Sequence, residues 1–287
     1  MADRAMITRI QRKLMYRPLR EKVKRNDRLL ISGEIKDVLV PTDDGLRLHG
    51  WHSVAHEGPQ DRPLCLFFPG NSGHRGCRVR DLELFNRLGC DALLVDYRGY
   101  GENPGSPCEP TIAADAHAIW RYVIEKLHTP SDRIIILGNS LGGGVATRLV
   151  MELCEQGTPP AGLVLRGTFS SMTDAAKAHY PWLPVQRFLV DRYPSIERVP
   201  HITCPIMLIH GSLDRVLPIE QGRRLFEAAP ARSASGIEKR FVELPHAGHN
   251  DMVHIAAEEM AEALGEFIWT IFPEDRIAAS DTPESMS

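Results

Sequence analysis

Residues 132–144, Asp-Arg-Ile-Ile-Ile-Leu-Gly-Asn-Ser-Leu-Gly-Gly-Gly, constrain the fold of this chain more than any other stretch. An aliphatic run stops at a glycine, turns through Ser140 and re-emerges as a helix. Residues 133–137 are short, apolar and not amphipathic, which suits a central parallel strand buried on both faces; residues 145–153 have the apolar spacing of a helix. A strand-to-helix turn this sharp holds its central serine in a strained backbone conformation, so Gly138 and Gly142 are needed to keep bulk away. The Ser140 hydroxyl is expected to stand above the sheet, with free N–H groups at the start of the helix close by. A Gly-x-Ser-x-Gly pentapeptide alone is also an ordinary tight connection. Strand before, helix after, and an acid and a histidine downstream in that order make it a candidate nucleophile elbow.

The same rhythm recurs along the chain. Residues 34–40 and 46–54 alternate about Thr42-Asp-Asp-Gly45, a hairpin signal that predicts an antiparallel edge. Apolar runs at 64–68, 92–97, 161–165, 205–210 and 240–244 read as further strands. Helical spacing is found at 79–88, 111–127, 220–228 and 256–271. Strands separated by helices predict a mostly parallel sheet covered on both faces, with the site beyond the carboxyl ends of the strands. That rule gathers the loop Pro69-Gly-Asn-Ser-Gly73, Ser140, Asp214 and His249 at one rim. Residues 174–200, rich in aromatics and without strand alternation, read as a short, partly helical cap, and 274–287 as a disordered tail.

At 287 residues the chain suits one large α/β domain over residues 29–273, since no composition break divides it. No run is long enough to span a bilayer, and the N-terminus never builds the apolar core of a signal peptide. The six cysteines form no CxxC pair, so reduced thiols and a cytoplasmic location are expected. Charge is uneven. Residues 1–28 hold ten basic against three acidic side chains in a chain whose net charge is −3. Ile7, Ile10 and Leu14 share one face of a possible helix with basic residues elsewhere around it. Two readings follow: peripheral contact with an anionic membrane, or a basic helix docked on its own acidic domain, the second favoured because the apolar face is short. On the first, the segment is expected to stand apart from the chemistry. Nucleic acid is not an expected partner, because the basic charge is confined to one end and no recognition motif accompanies it.

Pro69-Gly-Asn71, Asp96-Tyr-Arg-Gly-Tyr-Gly101, Gly138-Asn-Ser-Leu-Gly-Gly143, Cys204-Pro-Ile-Met-Leu-Ile-His-Gly-Ser-Leu-Asp214 and His246-Ala-Gly-His-Asn-Asp251 together resemble the α/β-hydrolase superfamily. Within it the chain is similar to lightly capped serine hydrolases that include protein depalmitoylases and lipid hydrolases, over roughly residues 34–272. Relatives often carry His-Gly where this chain has Pro69-Gly70, and a serine where it has Asn103. The depalmitoylase relatives are tethered by an N-terminal cysteine cluster, and this chain has no cysteine before Cys65, which argues against protein depalmitoylation.

Such a serine hydrolase needs a base, because a serine hydroxyl is scarcely ionised near neutral pH. His246 and His249 are both available after the last strand. The resemblance aligns the histidine after Ala-Gly, His249, with the catalytic one, and gives Asp214 the role of holding its tautomer. The backbone N–H groups of Asn71 and Leu141 are the expected oxyanion donors, and Tyr180 and Trp182 of the cap the expected acyl-binding residues. The substrate implied is an acyl ester or thioester, lipid-like or small; a peptidase or amidase on the same fold and a non-catalytic binding protein are the alternatives. Asp96 and Asp115 show no evident partner and read as solvated or capping. The spaced pairs His49/His52 and His246/His249 lack a supporting ligand set, so no metal is expected. No glycine-rich phosphate loop follows a strand, so no cofactor is expected either.

Overall fold

A computed structural model describes residues 2–25, 30–180, 182 and 184–275. The first helix, α1 (Ala2–Met15), leads into a two-residue strand, β1 (Arg17–Pro18). The expected hairpin forms as β2 (Gly33–Pro41) and β3 (Arg47–Ala55), with Thr42 Oγ1 accepting from the Leu46 N–H at 2.9 Å to close its turn. Next come β4 (Leu64–Phe68), the short β5 (Ser72–Gly73), α2 (Val79–Arg87), β6 (Asp91–Val95) and α3 (Glu109–Glu125). Helix α3 starts two residues before the expected position because the Cys108 N–H donates to Thr111 Oγ1 at 3.1 Å and Pro110 sits in its first turn. The elbow is β7 (Ile134–Asn139) into α4 (Leu141–Glu155). It is followed by β8 (Gly162–Arg166) and three short helices, α5 (Met172–His179), α6 (Val185–Phe188) and α7 (Ser195–Arg198). The chain then runs through β9 (Ile206–Gly211), α8 (Ile219–Ala228), β10 (Arg240–Leu244), α9 (Met252–Ile255) and α10 (Ala257–Ile271). The expected tail lies outside the described residues from 276 onward.

Eight strands form one sheet in the order β10-β9-β8-β7-β4-β6-β3-β2, with β2 and β3 antiparallel to their neighbours and all other pairs parallel. The pleat explains why the central runs are wholly apolar. In β4, Leu64, Leu66 and Phe68 join one core with α3, α4 and α8, while Cys65 and Phe67 join a second with α2 and α10. The chain is thus a parallel α/β sheet with helices on both faces, and a slip of one residue would exchange the two cores. Every parallel strand delivers its C-terminal end to the same edge.

Two carboxylates read as unpartnered in the sequence are buried and paired. Asp96 receives Arg75 Nη1 at 2.5 Å and the Arg75 N–H at 2.6 Å, and Arg75 also binds Glu102 at 2.8 Å. Asp115 receives Arg98 Nη2 at 2.5 Å and Nε at 2.7 Å. Both pairs join elements distant in sequence, which local pattern does not display.

The N-terminal segment is not loose. Arg12 Nε and Nη2 donate to Asp191 at 3.0 and 3.1 Å, and the Tyr16 hydroxyl reaches Asp191 at 3.1 Å and Tyr193 at 2.9 Å. Burial pushes the Tyr16 and Tyr193 phenols up, so both remain neutral. This docking turns Ile7, Ile10 and Leu14 outward, beside the exposed Arg9 and Lys13. Strand β1 then pairs in parallel with β5, Arg17 opposite Ser72. Among the described residues no helix is long and apolar enough to cross a membrane.

Candidate active site

The elbow has the geometry its glycines require. Ser140 sits at φ 52°, ψ −116°, a conformation L-residues rarely adopt and one that costs on the order of 1–3 kcal/mol. It is held by its N–H on the Arg166 carbonyl at 2.9 Å and by Thr168 Oγ1 on its own carbonyl at 2.8 Å. A Cβ on Gly142 would stand 2.0 Å from the Phe68 carbonyl oxygen, and one on Gly138 would stand 2.5 Å from the Gly142 carbonyl oxygen. Neither site tolerates a side chain, because α4 must pack its first turn directly against the ends of β4 and β7.

His249 bridges the other two members of the group. Its Nδ1 lies 2.6 Å from Asp214 Oδ2, and its Nε2 lies 3.0 Å from Ser140 Oγ. The histidine loop after β10 is shaped by Asp251, whose Oδ1 accepts the Gly248 N–H at 2.6 Å, and by the Leu213 N–H on the Ala247 carbonyl at 3.0 Å. Asp251, the last residue of the His246–Asp251 motif, positions the loop, a part the motif alone did not assign to it. His246, the other histidine of this loop, is exposed and takes no part.

Asp214 follows β9. Its Oδ1 accepts the N–H groups of Val216 and Leu217 at 2.8 and 2.7 Å, leaving Oδ2 for His249. Burial opposes its ionisation, but His210, whose Nε2 lies 3.5 Å from Oδ2, together with His249 and the Leu217 N–H outweighs it. The carboxyl is held well below the usual carboxylate range. His210 is itself oriented by donating to the Leu217 carbonyl at 2.8 Å.

Asn71 ends the loop after β4, and its backbone is fastened on several sides. Its carbonyl accepts the Arg17 N–H at 2.8 Å and the Tyr100 hydroxyl at 2.7 Å, while its Nδ2 donates to the Met15 carbonyl at 2.7 Å. Tyr97 hydroxyl holds the neighbouring Pro69 carbonyl at 2.9 Å. Among the described residues neither the Asn71 N–H nor the Leu141 N–H has a hydrogen-bond partner. Two free donors on either side of a nucleophile can receive a developing oxyanion.

Ser140, His249 and Asn71 open onto one cavity of about 290 Å³. Its lining corrects the expectation for the cap. Tyr180 and Trp182 do not line it; they are 50% and 73% exposed and meet each other edge to face with centroids 5.9 Å apart. Val216, from the loop that carries Asp214, and Met252 and Val253, from the start of α9, supply the apolar wall instead. The remaining wall is polar. Arg166, at the end of β8, donates through Nη2 to Asp81 at 2.6 Å and through Nε to Asn139 at 2.9 Å, which fixes the residue just before Ser140. An arginine closing an otherwise aliphatic strand was the only sequence signal for this support. Among the described residues no cluster of histidine, cysteine or carboxylate side chains is arranged to hold a metal.

The alpha/beta hydrolase fold family matches residues 63–195. An uncharacterized protein of Mycobacterium tuberculosis is 38% identical over 258 residues, spanning 90% of this chain and 87% of that one. The lysophosphatidylserine lipase ABHD12 of Danio rerio is 34% identical over 208 residues, covering 67% of this chain but only 53% of the lipase. Among solved structures, an esterase of Pyrococcus furiosus superposes with a TM-score of 0.68 at 22% identity, over 88% of this chain and 97% of its own, a likeness of fold.

Proposed function

The chain belongs to the alpha/beta hydrolase family, with lipid hydrolases among its relatives, and from that membership we propose that it is a serine hydrolase cleaving a carboxylic ester through an acyl-enzyme. The observation that carries the reading is His249, within hydrogen-bond reach of both Ser140 Oγ and Asp214 at 3.0 and 2.6 Å. In the proposed reaction Ser140 Oγ attacks the ester carbonyl as its proton passes to His249 Nε2. The carbonyl oxygen becomes an oxyanion held by the Asn71 and Leu141 N–H groups. Asp214, kept ionised by its hydrogen bonds, fixes the proton-bearing Nδ1 and stabilises the imidazolium. That imidazolium then protonates the leaving alcohol oxygen as the carbon–oxygen bond breaks. Water, deprotonated by His249, attacks the acyl-enzyme and releases the acid. Each oxyanion donor of this kind is worth about 2.7–4 kcal/mol in the transition state.

The lipase relatives and the Val216, Met252 and Val253 wall support a lipid-like acyl ester as substrate. Leu14 and Val216 are both exposed apolar residues, and Val216 itself lines the cavity. With Ile7 and Ile10 outward and Arg9 and Lys13 beside them, they support contact with an anionic membrane surface.

Covalent labelling by a fluorophosphonate tests the reaction class. Wild-type protein should be labelled at Ser140 and Ser140→Ala should not, while both keep the same thermal transition. Labelling that persists in Ser140→Ala would move the nucleophile elsewhere.

A further inference from the structure

The cavity that holds Ser140 is cationic. Arg17, Arg78 and Arg166 line it against one carboxylate, Asp81. Arg166 and Asp81 cancel each other, being paired at 2.6 Å with both side chains 4% exposed. Two positive charges remain. Arg17 is carried by β1, and its pairing opposite Ser72 fixes it beside the Asn71 loop. Among the described residues its guanidinium has no ion-pair or hydrogen-bond partner. Arg78 donates Nη2 to the Ser72 carbonyl at 2.8 Å, which aims the group at the same loop, and its Nε is buried without a partner. Arg17 is solvent-exposed and Arg78 partly so, yet both border the same cavity. Two like charges lining one concave site, with no carboxylate of their own, raise its positive potential and favour an anion there.

We infer that the substrate ester carries an anionic group, phosphate or carboxylate, bound by Arg17 and Arg78 while its carbonyl lies at Ser140. This deepens the hydrolase reading and rests on it. Arg17, Arg78 and Ser140 line the same cavity, so one small molecule can present its anion to the arginines and its carbonyl to the serine. Its two kinds of lining suit an amphiphile. The apolar portion packs on Val216, Met252 and Val253, and the anion meets the arginines from β1 and from the turn before α2. Guanidinium matches the oxygens of either anion with paired N–H donors, and the partly enclosed site strengthens the contact relative to water.

The test compares matched esters in kcat/KM. One pair places the charge on the alcohol, monobutyrylglycerol against monobutyrylglycerol phosphate. The other places it on the acid, p-nitrophenyl butyrate against p-nitrophenyl hemisuccinate. Wild-type protein should favour the anionic member of one pair by roughly 10–100-fold, the range for a charge-assisted hydrogen bond, and which pair responds identifies the source of the anion. The ratio should fall about tenfold in Arg17→Gln and in Arg78→Gln, recover in part in Arg17→Lys, and shrink as salt is raised. Ratios near one for both pairs, or ratios unmoved by Arg17→Gln in protein that unfolds like wild type, overturn the inference. Failure of the underlying reading is separable: it would show as absence of fluorophosphonate labelling and of turnover on all four esters.

Discussion

Arg75→Met isolates the charge cluster of Arg75, Asp96 and Glu102. Arg75 is 2% exposed and Asp96 1%, with Nη1 to Oδ2 at 2.5 Å, while the Glu102 side chain is 25% exposed. Removing the guanidinium leaves the two carboxylates in different positions. Glu102 can rehydrate; Asp96 cannot. Deleting one partner of a buried pair costs about 3–5 kcal/mol, because the survivor stays desolvated. Asp96 retains the backbone N–H of residue 75 at 2.6 Å, so the lower end, about 3 kcal/mol, applies. For a domain of this size about 1 kcal/mol moves Tm by roughly 2–4 °C, which gives a drop of roughly 6–12 °C. Urea unfolding and calorimetry at neutral pH read the change. The double variant Arg75→Met/Asp96→Asn, with no charge left to strand, should be more stable than Arg75→Met alone. A loss under about 1 kcal/mol, or a double variant less stable than the single one, would show that water reaches Asp96 and that the desolvation argument is wrong.

Asp214→Asn and His249→Ala should each lower kcat by about 10³ or more, and their combination should lower it little further, since groups acting as one unit are not additive. Losses that multiply in steady-state assays would separate the two residues and sink the proposed triad. Ile10→Glu and Leu14→Glu, on the outward face of α1, should weaken sedimentation with anionic vesicles at low salt while soluble-ester hydrolysis persists. Binding equal to wild type would return that face to an ordinary solvated surface.

Sequence was most informative where physics acts over short range. The five central strands stand out because burial on both faces leaves an unbroken apolar run, and the β2–β3 turn because Asp-Gly suits its backbone. Ser140, Asp214 and His249 could be gathered at one rim since parallel strands deliver their ends together. Partnerships across the tertiary fold left no such mark. Nothing near Asp96 names Arg75, and nothing near Arg98 names Asp115 and Asp44, although both networks are set by contacts of 2.5–2.8 Å. Tyr180 and Trp182 misled because an aromatic cluster in a loop has the composition of an acyl pocket. Their place outside the cavity lining is a matter of tertiary packing, which composition does not report.

The N-terminal segment is where the separation of parts expected from sequence breaks down. Its charge and its position ahead of the family match at residues 63–195 suggest an appendage, yet its backbone is built into the site. The Arg17 N–H holds the Asn71 carbonyl at 2.8 Å, the Leu19 N–H holds Gly73 at 3.2 Å, and Met15 receives the Asn71 side chain at 2.7 Å. The Leu19 carbonyl in turn accepts the Gly101 N–H at 2.8 Å, tying the same strap to the loop after β6. Removing residues 1–28 would therefore loosen the loop that offers the Asn71 donor, leaving it held by Tyr97 and Tyr100, as well as deleting Arg17. An oxyanion donor acts only where it is already aimed, so loss of this strap reaches the transition state without touching Ser140, His249 or Asp214. Truncation thus confounds membrane contact with chemistry, whereas outward-facing point variants of α1 keep β1 paired and test the surface alone.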